Sequence, residues 1–191
     1  MGKGRVEAFS DGVIAIIITI MVLELKVPHG AELADLWELA PVFLSYVLSF
    51  ANVGIYWNNH HHLFHAVKHV SGGILWANLH LLFWLSLFPF TTGWMGENHF
   101  ATWPVVIYGI NLCLAAVAYT ILTFTIIHAH GKDSNIATAI GSDTKGKISL
   151  AAYVFAIPLA FYFPWISGAL FVAVALIWFV PDKRIEKAMK E

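Results

Sequence analysis

Apolar residues fill the chain in six long stretches, at residues 5–27, 39–65, 73–95, 103–128, 148–163 and 165–180, separated by short clusters of proline, glycine and charge. Stretches recurring at the ~20-residue scale of a bilayer predict six transmembrane helices and an all-α membrane protein. The last two form one tract of more than 30 residues. That is too long for one comfortable span at about 1.5 Å per residue across a core of about 30 Å. The stretch Phe161-Tyr162-Phe163-Pro164-Trp165 therefore has to hold a turn. Pro164 stops a helix, and the aromatic residues suit a membrane interface.

Composition leads to the same class. The chain is 59% hydrophobic and 12% charged, with a mean hydropathy of +0.71, against roughly 25% charged residues in an ordinary soluble domain. It reads as one integral membrane domain over residues 1–191, with no stretch left over for a separate soluble domain. Glu7 and Asp11 interrupt the first apolar run and no small-residue cleavage site precedes Pro28, so that run is expected to be retained rather than removed as a leader. Cys113 is the only cysteine, which excludes an intrachain disulfide. A net charge of -1 gives no nucleic-acid signal. No nucleophile-base motif suggests an enzyme, and no cofactor motif is present.

Six spans place both termini on one side, and the basic residues say which. Lys3, Arg5, Lys68, Lys132, Lys145, Lys147, Lys183, Arg184, Lys187 and Lys190 fall on that side, with only Lys26 opposite. By the positive-inside rule that side is cytoplasmic.

The first helix carries the unusual residues. Ser10 and Asp11 could cap a helix starting at Gly12, but 12–25 would span only about 21 Å, whereas 5–27 reaches about 34 Å. They are therefore expected inside a longer helix, near the cytoplasmic interface, where Asp11 needs a partner. Thr19, deep in the run, is expected to face protein or water on one side. Gly12, Ile16, Thr19, Ile20 and Leu23 follow one another at helical spacing and share a face. On periodicity alone such a stripe favours core packing over pore lining, and it leaves both open.

The string "RVEAFSDGVIAIIITIMVLELKVP" carries Arg5, Phe9-Ser10-Asp11, Val13, Ala15-Ile16, Thr19, Glu24 and Pro28 in one fixed arrangement. It resembles the first helix of the transmembrane-protein-175 family of potassium channels, in its short bacterial branch. "YWNNHHHLF" in the second stretch is similar to that family's Trp and His segment. The resemblance implies an integral protein of a bacterial cell membrane that conducts potassium and other monovalent cations as a homotetramer, its pore lined by the first helix of each subunit. It further implies an aliphatic constriction at Ile16, Ile20 and Leu23 with Thr19 beside it. Ile20 departs slightly from a position that is often leucine in relatives. Nothing here resembles the "TVGYG" carbonyl filter, so selection would rest on the width of an apolar ring and the cost of deforming hydration shells.

The resemblance also suggests a structural polar network in which Asp11, beside Ser10, pairs with Arg5 and with Trp57, Asn59 or His60 of the second span. Which of His60 and His61 faces the first helix stays open. Consecutive His60, His61 and His62 point roughly 100° apart on a helix and do not converge on one ion. His61 and His65 have chelating spacing, but no metal site is expected, and His80 has no matching neighbour. Glu24 could gather cations at the outer mouth or could simply be neutralised by Lys26. A secondary transporter would ordinarily show repeats, interrupted helices and midplane acids; it and a non-conducting structural membrane protein are the alternatives to a channel.

Overall fold

The computed structural model describes residues 2–131 and 143–179; Lys132, Val180, Lys183, Arg184, Lys187 and Lys190 lie outside the described residues. Eight helical segments follow along the described chain: α1 (Lys3–Leu23), α2 (Leu33–Trp37), α3 (Ala40–His65), α4 (Gly72–Ser86), α5 (Phe88–Glu97), α6 (Thr102–His130), α7 (Thr144–Leu159) and α8 (Pro164–Phe179). Four apolar rods are long enough to cross a bilayer: α1, α3, the α4–α5 pair as Gly72–Glu97, and α6. α7 and α8 have 16 residues each, about 24 Å at the helical rise.

Local chemistry sets the boundaries. α4 begins where Ser71 accepts from the Ile74 N–H, and α7 where Asp143 accepts from the Gly146 N–H. α4 gives way to α5 at Leu87, just before Pro89, which has no N–H to continue the ladder. The apolar run at 73–95 is thus one span, Gly72–Glu97, built from two abutting segments. The final tract divides as its aromatic turn required, but earlier than the 148–163 boundary. Pro158 weakens the end of α7, the N–H groups of Tyr162 and Phe163 fold back onto the Leu159 carbonyl, and Pro164 opens α8.

α1 also ends earlier than the sequence pattern suggested, at Leu23 instead of residue 27, with Glu24 as its C-cap. Its 21 residues still reach about 31 Å. Beyond it Lys26 forms an ion pair with Glu97 at the end of α5, holding the departing chain. The short α2 follows in the connection to α3, its start closed by reciprocal bonds between Glu32 and Asp35.

α6 is the hub, packing against α4, α5, α7 and α8, while α1 packs on α3, α4 and α5. Two glycines set helix separations. A Cβ on Gly96 of α5 would come within 2.7 Å of the Val42 Cα of α3, and one on Gly109 of α6 within 2.8 Å of the Phe171 ring of α8. Small residues of this kind let membrane helices approach closely where no hydrophobic drive separates them from lipid. Polar side chains inside the bundle pair with one another. Thr92 donates to Ser49 at 2.6 Å, and Ser49 shares a 2.9 Å hydrogen bond with the buried Tyr108, joining α3, α5 and α6.

The charges separate by end. Lys3 donates to the His65 carbonyl at 2.7 Å, and the Lys68 N–H meets His130 Nε2 at 3.0 Å, so the start of α1 and the ends of α3 and α6 share one end of the bundle. Ile126 offers a carbonyl to Nδ1 of that ring at 2.9 Å. A carbonyl only accepts and a backbone N–H only donates, so His130 carries its proton on Nδ1.

Candidate functional site

α1 has two unlike faces. Val6, Ser10, Ile14, Ile17 and Met21, at helical spacing, are buried against α3, α4 and α5. The opposite half of the circumference is uncovered: Ile16 is 59% exposed, Ile20 41% and Leu23 75%, with Gly12 and Thr19 also exposed. No sharp amphipathic stripe marks this helix, because Ile14 to Leu23 is apolar nearly all round. Packing distinguishes the two faces, and hydrophobicity does not.

Thr19 sits on the uncovered face, and its hydroxyl donates to the Ala15 carbonyl at 2.8 Å. The proton is therefore satisfied within the helix itself, as hydroxyls in apolar helices commonly are. What Thr19 offers outward is oxygen lone pairs.

On the buried side a polar chain crosses three helices. His60 Nε2 of α3 lies 2.8 Å from Asn78 Oδ1 of α4, Asn78 Nδ2 donates to Ser10 Oγ at 2.9 Å, and Ser10 donates to the Val6 carbonyl at 2.8 Å. All three side chains are almost wholly buried. An oxygen accepts from the ring, so Nε2 carries the imidazole proton. The Phe64 ring stacks on His60 with centroids 4.4 Å apart.

A turn further along, Trp57 Nε1 donates to Asp11 Oδ1 at 3.0 Å, in a half-exposed position. Ser10 and Asp11 are adjacent but serve two separate contacts, one inside the bundle and one at its side.

Not every candidate joins these contacts. Arg5 is exposed and has no ion pair with Asp11, from which it is separated by about 9 Å along the axis. Asn59 turns its amide to its own helix, donating to the Ile55 carbonyl at 2.8 Å. His60 is the buried histidine and His61 the exposed one. Asn78, the central member, was not singled out from the sequence. The available signal was an amide in an apolar run, a costly placement unless bonded on both sides.

At the other end Lys26 is engaged by Glu97, whose carboxylate holds the lysine ammonium above its ordinary range. Glu24 remains exposed and forms no ion pair with a described residue. Glu24 thus stands as an exposed acid just past Leu23, within the electrostatic reach of Lys26. Among the described residues no three His, Cys, Asp or Glu side chains converge as a metal site. His61 and His65 stand 6.2 Å apart between ring centroids.

Three comparisons bear on this arrangement. Residues 5–89 match the family model described as "Endosomal/lysosomal potassium channel TMEM175". A potassium channel of Chryseobacterium sp. (strain P1-3) is 59% identical over 191 residues, covering 100% of both chains. Another, from Streptomyces collinus, is 31% identical over 173 residues, covering 83% of this chain and 82% of its own. The crystal structure of a lysosomal potassium-selective channel TMEM175 homolog from Chamaesiphon minutus superposes with a TM-score of 0.81. That match is at 27% identity and covers 94% of this chain and 97% of the other.

Proposed function

Since this chain belongs to the TMEM175 family, we propose that it is a potassium-preferring cation channel of a bacterial cell membrane. In this reading residues 1–191 form one six-span domain with both termini cytoplasmic. Four copies surround a central path lined by α1. The observation that carries it is the uncovered half of α1, which exposes Ile16, Thr19, Ile20 and Leu23 while the other half is buried. A helix on the outside of a monomer offers no route for an ion. Four-fold symmetry turns each of these residues into a ring.

Such rings select without coordinating. Aliphatic side chains supply no ligands, so an ion passes with much of its water, and a narrow ring dewets and closes. Ions that deform their hydration shell at lower cost pass more readily, which favours potassium over sodium and disfavours divalent ions most. The Thr19 lone pairs can receive hydrogen bonds from that water. Glu24, which forms no ion pair with a described residue, would raise the cation concentration at the outer mouth. Ser10, Asn78 and His60, with Trp57 and Asp11, hold α1 against its own subunit so that the exposed half keeps its orientation.

Flux through purified protein in liposomes tests the reading. A channel runs down an imposed potassium gradient without proton or sodium coupling, a transporter shows that coupling, and a structural protein gives no flux. Native mass measurement in mild detergent should give four copies; a conducting monomer would overturn the central pore.

A further inference from the structure

A cavity that opens to the surroundings lies between α3, α6, α7 and α8, and no residue of α1 lines it. Its walls are aromatic: Tyr56 and Tyr119 meet edge to face at 6.1 Å, and Tyr153 and Trp178 complete the lining. Asp143, which caps α7, contributes to the same cavity.

The hydrogen-bond donors of the wall are largely spent. Trp178 Nε1 donates to Ser149 at 2.9 Å, Tyr119 to the Asn59 carbonyl at 3.3 Å, Thr120 to the Ala116 carbonyl at 2.9 Å, and the Asn59 amide within its own helix. Acceptors remain: Asn59 Oδ1, the phenol oxygens, and the Asp143 carboxylate, of which Oδ1 receives the Gly146 N–H at 3.1 Å. Tyr153, only 4% exposed, and Tyr56 also line the cavity, and each phenol oxygen can accept as well as donate.

Ring faces, surplus acceptors and one carboxylate are the chemistry that receives a positively charged donor. Lys145, which does not line the cavity, already rests its Nζ 5.9 Å from the Trp178 ring centroid, so that indole is used as a cation surface within the chain itself. We propose that this cavity binds an organic ammonium group, presented either by a soluble amine or by the head of an amine-bearing lipid.

The test uses the full chain in bilayer discs of phosphatidylglycerol alone. Hexylammonium is titrated by calorimetry, with hexanol and hexyl sulfate as neutral and anionic counterparts. Expected are saturable binding of the ammonium, a rise in melting temperature, and little or no binding of the other two. Asp143→Asn retains a good helix cap while removing the charge and should weaken binding about tenfold, the loss of one ion contact. Tyr153→Phe, which removes only the hydroxyl, should weaken it severalfold. In a second arm, protein extracted from membranes containing phosphatidylethanolamine is weighed by native mass measurement. Retention of that lipid by the parent chain, and its loss in Tyr153→Phe, assigns the ammonium to a lipid head; binding in the first arm alone assigns it to a soluble amine. No saturable binding in either arm, equal binding of hexyl sulfate, or indifference to both substitutions in well-folded protein overturns the proposal. Potassium flux measured on the same preparations keeps this outcome separate from the channel reading.

Discussion

Asn78 donates its side-chain amide to the hydroxyl of Ser10 across 2.9 Å, with both residues almost wholly buried between α1 and α4. The amide oxygen faces His60 of α3 at 2.8 Å, so one residue satisfies polar groups from two other helices. Asn78→Leu keeps the volume and strands both partners, at a cost of roughly 1–3 kcal/mol for each group left unsatisfied. Thermal melting of the purified protein should fall clearly. Ser10→Ala should cost less, since the Val6 carbonyl keeps its place in the helix ladder. Equal stability of Asn78→Leu and the parent would show that the chain of bonds does not hold α1.

Asp11 has a different task. Its bond from Trp57 lies at the side of the bundle in a half-exposed position. Asp11→Ala and Trp57→Phe should therefore have similar effects, lowering the yield of assembled protein while leaving ion discrimination near that of the parent. A double substitution no worse than either single one is expected from a shared contact. If Asp11→Ala assembles normally and loses discrimination between cations, the ion path has been placed on the wrong stretch of α1.

Much of this was legible in the sequence, and the exceptions have physical causes. Length decided that Ser10 and Asp11 lie inside α1, because a helix starting after them would not cross a bilayer. The end of α1 was overestimated because Leu25 and Val27 continue the apolar pattern, although the chain there leaves to follow the Lys26–Glu97 ion pair. Asn78 escaped notice because a single amide has no spacing to recognise; its meaning depends on Ser10 and His60, distant in sequence. The bond from Thr19 to the Ala15 carbonyl is not apparent from polarity alone, because it lies within the helix. The two faces of α1 could not be assigned before packing was known, as nearly every residue of that run is apolar.

Helix separation supplies a control that is independent of polarity. A side chain on Gly96 would collide with the backbone of α3 at Val42. Gly96→Leu should be strongly destabilising, by more than the roughly 1–3 kcal/mol typical of overpacking, since a backbone atom cannot move aside as a side chain can. Gly12, with open space around it in one subunit, should tolerate alanine in the monomer fold. Loss of assembly in Gly12→Ala with the subunit fold intact would place another copy against that face.

Glu24 and Lys26 should behave oppositely despite their proximity. Glu24→Gln removes an exposed acid, so inward single-channel current should fall at low ionic strength and recover at high salt, where exposed charges are screened. Lys26 has its folded value raised by Glu97, so its bond is present throughout neutral pH and is lost only as pH rises through that raised value. Outer-mouth conductance should therefore not vary near neutrality on account of this pair. A salt-independent effect of Glu24→Gln would remove the acid from the outer mouth.

The central claim is that the uncovered face of α1 lines the ion path, and Ile16 tests it most directly. Ile16→Asn places a ring of amides where an aliphatic ring would dewet, so water should persist there and the penalty on a retained hydration shell should fall. Reversal potentials under mixed potassium and sodium gradients should show higher flux with sodium gaining most, whereas Ile177→Asn in α8, with no pore role, should at most reduce stability. An Ile16→Asn protein that folds, assembles and keeps both its flux and its potassium-to-sodium ratio would contradict the account, making Ile16 a packing residue.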